Sequence, residues 1–266
     1  MDRKKPRLLD LCCKAGGCSM GYARAGFEVV GVDIEPQPNY PFECHQADAL
    51  IFSLEDFDVV HVSPPCQGYS TIVASRKGGR EKHPRLIEAF RDRLIGSDLP
   101  YVIENVAGAR AYLHNPILLC GEMFGLRVYR HRLFESNVEL LQPDHVEHVL
   151  RAAHCGKIAG VGEYWSPAGK FGGLEAARSA MGIDWPMTNA EIANAIPPIY
   201  TEWIGLQLIQ ALSPRRQAVR VQLCECGCRR IAKPATNGGR PGKYATDVCR
   251  VRVNRARKAH VTKLVG

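Results

Sequence analysis

Short apolar runs recur along the first half of the chain, and helical segments separate them. Arg7-Leu8-Leu9-Asp10-Leu11, Phe27 to Asp33, Phe57 to Ser63 and Leu99 to Glu104 have the length and composition of strands. Between the first two, Ser19 to Ala25 reads as a helix, with Ser19 as its N-cap and Gly26 as its stop. Leu86 to Ile95 reads as a second helix before the last run. Strands split by helices confine a chain to an α/β fold, a parallel Rossmann-like sheet with helices on both faces.

Sheets of this class bind ligands beyond the carboxyl ends of their strands. The third run ends in Pro64-Pro65-Cys66-Gln67, where two prolines fix the backbone before a thiol. A free cysteine is more often a small core residue than a reactive one, so Cys66 alone decides nothing. The first run carries Asp10 and leads through Ala15-Gly16-Gly17 into a helix, a nucleotide-cradling arrangement. Asp33 closes the second run, where a carboxylate can accept bonds from ribose hydroxyls. The Gly-x-Gly-x-x-Gly pattern of pyrophosphate binders is absent, and Asp10 would repel a pyrophosphate. A ligand with sulfonium and ammonium groups suits Asp10 better, which favours S-adenosylmethionine over a dinucleotide. Asp48 is placed to meet an adenine amino group. The competing reading of this segment is a tight turn with a surface acid.

At 266 residues the chain is long enough for one large domain, or one domain and an appendage. The net charge of +8 is unevenly spread: from Pro214 to Gly266 there are 14 Lys/Arg and 2 Asp/Glu, against 21 and 25 in the rest. That asymmetry suggests a catalytic body carrying a tail for a polyanion, the alternative being a solubilising tail. The 11 cysteines are scattered and odd in number, as thiols or metal ligands would be rather than a disulfide framework. No apolar stretch approaches the roughly 18 residues of a membrane span, so a cytoplasmic location is expected.

Four blocks now fall in order. They are Asp10-Leu11-Cys12-Cys13-Lys14-Ala15-Gly16-Gly17, Pro64-Pro65-Cys66-Gln67 with Ser70 after it, Glu104-Asn105-Val106, and Arg130-His131-Arg132. A fifth, weaker block surrounds Asn194-Ala195-Ile196-Pro197-Pro198. Over about residues 7–213 the chain resembles a DNA (cytosine-5)-methyltransferase, and looks most like the compact versions carried by bacteriophages.

The resemblance implies a methyl transfer from S-adenosylmethionine to carbon 5 of a cytosine flipped out of duplex DNA, by a monomer. Carbon 5 is a poor nucleophile, and a thiolate added at carbon 6 makes it an enamine. Cys66 would supply that thiolate, Glu104 would hold ring nitrogen 3 and the exocyclic amine, Arg132 carbonyl oxygen 2, and Arg130 would orient its neighbours. Asp10, Leu11, Cys12, Ala15, Gly16, Gly17, Asp33, Ile34, Asp48, Ala49, Pro64 and Asn194 would surround the cofactor. Gln67, Ser70, Arg76, Lys77 and Arg80 would meet DNA, the last three from a basic, glycine-hinged loop that also reads as a plain solvated loop.

The implied division is a catalytic and cofactor core over 1–136, a reduced target-recognition region over 137–187, a segment returning to the core over 188–213, and a basic tail over 214–266. In the tail, Cys224, Cys226, Cys228 and Cys249 have the types and spacing of a structural zinc knuckle, with His260 as an alternative ligand. The competing reading is reduced cysteines in a basic arm. Two positions depart from the family: Cys12 stands where an aromatic is usual, and Lys14 where a glycine is usual. Both motivate a second reading, a catalytically silent DNA-binding protein that keeps the fold.

Overall fold

The computed structural model describes residues 5–70, 79–153, 157–169 and 171–212. Among these, seven strands form one sheet: β1 (Arg7–Leu11), β2 (Glu28–Asp33), β3 (Glu43–Gln46), β4 (Val59–Val62), β5 (Tyr101–Val106), β6 (Ile117–Leu119) and β7 (Arg132–Ser136). Their spatial order is β3-β2-β1-β4-β5-β7-β6. The first five run parallel, and β7 pairs antiparallel with both β5 and β6. Strand order reverses between β1 and β4, so the carboxyl ends of those two strands open a crevice.

Side chains alternate across each strand, and both faces are covered. On one face Leu8, Val29, Val59, Val102 and Phe134 pack with α1 (Gly17–Ala25) and with α5 (Pro198–Ala211). On the other, Leu9, Leu11, Val60, Val62 and Ile103 pack with Phe90 and Leu94 of α2 (Ile87–Ser97). Buried between α2 and β7, Arg91 grips Glu135 through two bonds of 2.7 Å.

Helices α1 and α5 approach so closely that a Cβ on Gly21 would lie 2.0 Å from the carbonyl oxygen of Pro198. Pro198 opens α5 at its first turn, where a missing N–H is harmless, instead of interrupting it. Ser19 is likewise not the N-cap of α1. The helix starts at Gly17 behind Gly16 in the left-handed region, and the Ser19 hydroxyl donates to the buried Asp10 carboxylate.

The glycine-rich stretch after β7 holds a third core. Trp165, Phe171, Met181, Ile183, Trp185 and Met187 pack there with Ala177 of α3 (Leu174–Ala180) and Ile192 of α4 (Asn189–Asn194). Thr188 and Glu191 close the capping box at the start of α4, with Glu191 Oε2 accepting from Thr188 N at 2.6 Å. The Trp185 indole N–H donates to the carbonyl of Ala15 at 3.0 Å, tying this core to the turn after β1.

Candidate active site

The loop after β4 carries Cys66. Asn105 on β5 donates to the carbonyl of Pro64 at 3.0 Å, and the carbonyl of Cys66 accepts from Tyr69 N and Ser70 N, each at 3.0 Å. Two prolines, one side-chain brace and one turn thus hold the thiol at the strand end.

Two cavities meet there. The first, 410 Å³, is walled by Asp10, Cys12, Ala15, Gly17, Asp33, Ile34, Asp48, Ala49, Pro64, Gln67 and Asn194, among others. The second, 330 Å³, is walled by Ser70, Tyr129, Arg130, His131, Trp165 and Pro167, among others. Cys66, Val106, Arg132 and Ala193 belong to both walls. The structure therefore brings most of the residues singled out in the sequence to one crevice. Leu11 and Gly16 are exceptions. Leu11 is buried in the sheet core, and Gly16 packs under Tyr40 and Pro41. Arg76 and Lys77 lie outside the described residues, as does the side chain of Arg80; so do Cys224, Cys226, Cys228 and Cys249.

Glu104 is buried, and burial pushes its carboxyl above the usual range, against the pull of Arg132, a Ser63 hydrogen bond and Arg130. Arg132 Nε lies 3.1 Å from Glu104 Oε1. Burial likewise pushes the Cys66 thiol up, and the Glu104 charge adds to this while Arg132 opposes it. A proton on Glu104 removes one of the two raising causes. Arg130 is half-buried, and its guanidinium donates to the carbonyls of Pro167 and Ala193 at 3.0 and 2.7 Å. Burial and Arg132 lower it to about 9, so it keeps its charge near neutral pH.

Behind Glu104 runs a chain that the sequence did not announce. Tyr22 Oη lies 2.9 Å from His61 Nδ1, and His61 Nε2 lies 3.0 Å from Ser63 Oγ. Burial drives His61 down to about 3, so it is a neutral relay. A neutral imidazole has one donor and one acceptor nitrogen, which this chain satisfies. Ser63 in turn bonds Glu104, so Tyr22 and His61 fix the rotamer of the hydroxyl that holds the glutamate.

At the other end of the crevice, Asp10 is fully buried, and burial pushes it up to about 7. Ser19 bonds one of its oxygens, while Oδ1 has no partner among the described residues. Arg130 Nε, on the wall of the second cavity, is also without a partner. One cavity thus presents a spare buried acceptor, the other a spare buried donor. Unsatisfied buried groups of this kind are uncommon and need a reason.

Lys14 and Cys12 adopt positive φ, 45° and 61°, which explains why a glycine would be at ease at position 14. The Lys14 ammonium does not stand free to repel a cation: it pairs with Asp33 Oδ1 at 3.4 Å and Glu35 Oε2 at 2.8 Å. Its own N–H donates to Asp33 Oδ2 at 3.1 Å, and Glu35 N donates to Oδ1 at 3.1 Å. Asp33 is therefore already engaged by the turn it faces.

Among known proteins the chain is 33% identical over 128 residues to the Type II methyltransferase M1.HphI of Haemophilus parahaemolyticus. That match takes in 40% of this chain and 33% of the relative, so the chain spans about a third of the protein it matches. The structure superposes on a putative DNA modification methyltransferase encoded within an E. coli prophage, with a TM-score of 0.56 and 16% identity, over 78% of this chain and 99% of that one. The chain has a methyltransferase fold. It also superposes on the Entamoeba histolytica methyltransferase EhMeth, with a TM-score of 0.55 and 13% identity, over 79% of this chain and 100% of that one. A Dnmt2 methyltransferase of S. pombe gives a TM-score of 0.52 at 13% identity, over 79% and 100%. No family model matches the chain. The likeness to DNA methyltransferases that the motif blocks implied is thus found in sequence as well as in fold.

Proposed function

We propose that this methyltransferase acts on DNA, transferring a methyl group from S-adenosylmethionine to carbon 5 of a flipped cytosine, with Cys66 as nucleophile. The observation that carries the reading is the meeting of two cavities at one thiol. A donor molecule at the Asp10 end of the first and an acceptor base at the junction, where Glu104 lines the first wall and Cys66 and Arg132 line both, would touch there.

The first cavity fits a cationic nucleoside. The spare acceptor of Asp10 answers an ammonium or sulfonium group, the exposed Ile34 offers an apolar face at the end of β2, and Asp48 reaches the same wall. When bound, S-adenosylmethionine supplies an electrophilic methyl group. Every other task belongs to the chain. The Cys66 sulfur bonds carbon 6 of the base and its proton leaves to solvent. Glu104 in its protonated form, favoured by burial, donates to ring nitrogen 3, so that charge does not build up on the ring as the sulfur adds. Arg132, beside Glu104, donates to carbonyl oxygen 2, exchanging a carboxylate partner for the substrate. Arg130 holds the second cavity in shape through Pro167 and Ala193. Transfer ends when carbon 5 loses its proton to solvent, the sulfur leaves carbon 6 and ring nitrogen 3 returns its proton to Glu104.

The basic tail and the segment around Arg76 and Lys77 would bind phosphate without reading sequence. The test is methyl transfer from labelled S-adenosylmethionine to double-stranded DNA, followed by conversion sequencing of cytosines. Cys66→Ala is expected to abolish transfer and to leave DNA binding intact. Methyl groups on adenine, or transfer by the alanine variant, would contradict the reading.

A further inference from the structure

Beside the second cavity, four side chains from three parts of the chain converge. Cys120 follows β6, His131 precedes β7, and His145 and His148 lie on the irregular segment after β7. One ligand atom from each lies within 4.8 Å of all the others. Cys120 Sγ is 3.3 Å from His148 Nε2, and His131 Nε2 is 3.0 Å from His145 Nε2. One donor atom of each side chain therefore lies close to those of the others.

We propose that Cys120, His131, His145 and His148 form a structural site for a borderline-soft divalent ion of the zinc class. Three imidazoles and a thiolate are the donor set of a closed tetrahedral zinc centre, whereas magnesium and calcium call for oxygen. Bonds of about 2.0–2.3 Å at tetrahedral angles put donors about 3.3–3.6 Å apart. The two short contacts, 3.0 and 3.3 Å, lie just below and at the lower edge of that range, and the widest separation, within 4.8 Å, needs to close by about 1 Å. His145 is exposed and free to rotate inward. On binding, the Cys120 sulfur loses its proton to solvent and bonds the metal.

The surroundings have the character of an outer shell. The Tyr129 ring stacks on His148 at 3.6 Å with the planes 8° apart, and Tyr164 stacks on Tyr129 at 4.3 Å. Tyr164 Oη donates to Glu122 Oε1 at 3.2 Å, and Glu122 Oε2 stands 3.6 Å from His148 Nε2. A carboxylate next to the ligands balances the charge of the ion, and its contact with His148 Nε2 gives way when that nitrogen takes the metal. The consequence for the protein is mechanical. His131 sits between Arg130 and Arg132, so a metal there would pin both arginines and staple the segment bearing His145 and His148 to the sheet edge formed by β6 and β7. The inference stands apart from the methyl-transfer reading and from the tail cysteines.

Without a metal, the same contacts are an N–H···N bond between imidazoles and an S–H···N bond, and one experiment separates the two cases. The full chain is stripped with a chelator and titrated with cobalt(II) alone, then with zinc(II) alone, and bound metal is counted by mass spectrometry. The expected result is the sulfur-to-cobalt charge-transfer band and the visible bands of tetrahedral cobalt, displaced by zinc. His145→Ala, at an exposed position, is expected to lose one equivalent of metal, and Cys120→Ser to lose the part of the charge-transfer band that Cys224→Ser retains. Cys224→Ser is expected to keep this equivalent, whatever the tail itself binds. Absence of bound cobalt and zinc in the wild-type chain, or metal content unchanged in His145→Ala, would overturn the proposal.

Discussion

Asp10 carries opposite consequences for stability and for ligand binding, and one substitution exposes both. Its carboxyl rises from 3.8 to about 7 because burial removes water from the charged form. Between those values the folded chain holds a proton that the unfolded chain has released. The stability associated with that proton is intact below pH 3.8 and is lost as the pH rises through about 7. At 1.36 kcal/mol per unit, the loss amounts to about 4 kcal/mol. Asp10→Asn keeps the shape and an acceptor for Ser19 but cannot ionise. In urea denaturation followed by circular dichroism, the variant is expected to be more stable than the wild type by up to about 4 kcal/mol at about pH 8, and nearly equal to it at about pH 4. A cationic ligand prefers the carboxylate, so wild-type affinity for S-adenosylmethionine should weaken about tenfold per unit as the pH drops below about 7. Calorimetric titration should show that slope in the wild type and a weak, flat profile in the variant. An Asn variant less stable than wild type at about pH 8, or a wild-type affinity that ignores pH, would refute the assignment of Asp10 as a buried acceptor held for a cation.

Gly21→Ala places a methyl group 2.0 Å from the Pro198 carbonyl, so α1 and α5 must part, which should cost about 1–3 kcal/mol and lower the thermal midpoint. Arg91→Ala leaves the buried Glu135 carboxylate without its 2.7 Å partner; the expected loss is about 3–5 kcal/mol in denaturant unfolding, and a loss near zero would contradict a buried pair. Glu104→Gln retains the shape but cannot deliver a proton, and single-turnover methyl transfer should slow by about 10²–10⁴ with DNA affinity little changed; a rate within about threefold of wild type would remove Glu104 from proton transfer.

How much of this was legible in the sequence follows from burial. Strands β1, β2, β4 and β5 were visible because sheet strands covered on both faces read as continuous apolar runs. Strand β3 was not, since Glu43-Cys44-His45-Gln46 is an exposed edge whose residues carry no apolar signal. Strand β6 is three residues long, and β7 was hidden under the paired-arginine motif. Ser19 looked like a helix cap because its type favours that position, but the left-handed Gly16 starts the helix and the buried Asp10 claims the hydroxyl. The core built on Trp165, Trp185 and Met187 has no period to find, as its members sit on loops and short helices. Most crevice residues were legible because they belong to short motifs at strand ends or, for Asn194, at the end of α4, whereas Tyr129, Trp165 and Pro167 carry no such motif. The four-donor cluster was not, because Cys120, His131, His145 and His148 come from segments that only the antiparallel β6–β7 edge brings together.

The central claim is a bond between the Cys66 sulfur and the base. DNA in which cytosine carries fluorine at carbon 5 isolates it, because fluorine cannot leave as a cation and the sulfur cannot then depart. Incubation of the full chain with such duplex DNA and S-adenosylmethionine, followed by denaturation, digestion and peptide mass spectrometry, is expected to show one methylated fluorocytosine on Cys66 and none in Cys66→Ala. Methylated product on unmodified DNA together with no adduct on the fluorinated strand, or an adduct on another cysteine, would contradict the account.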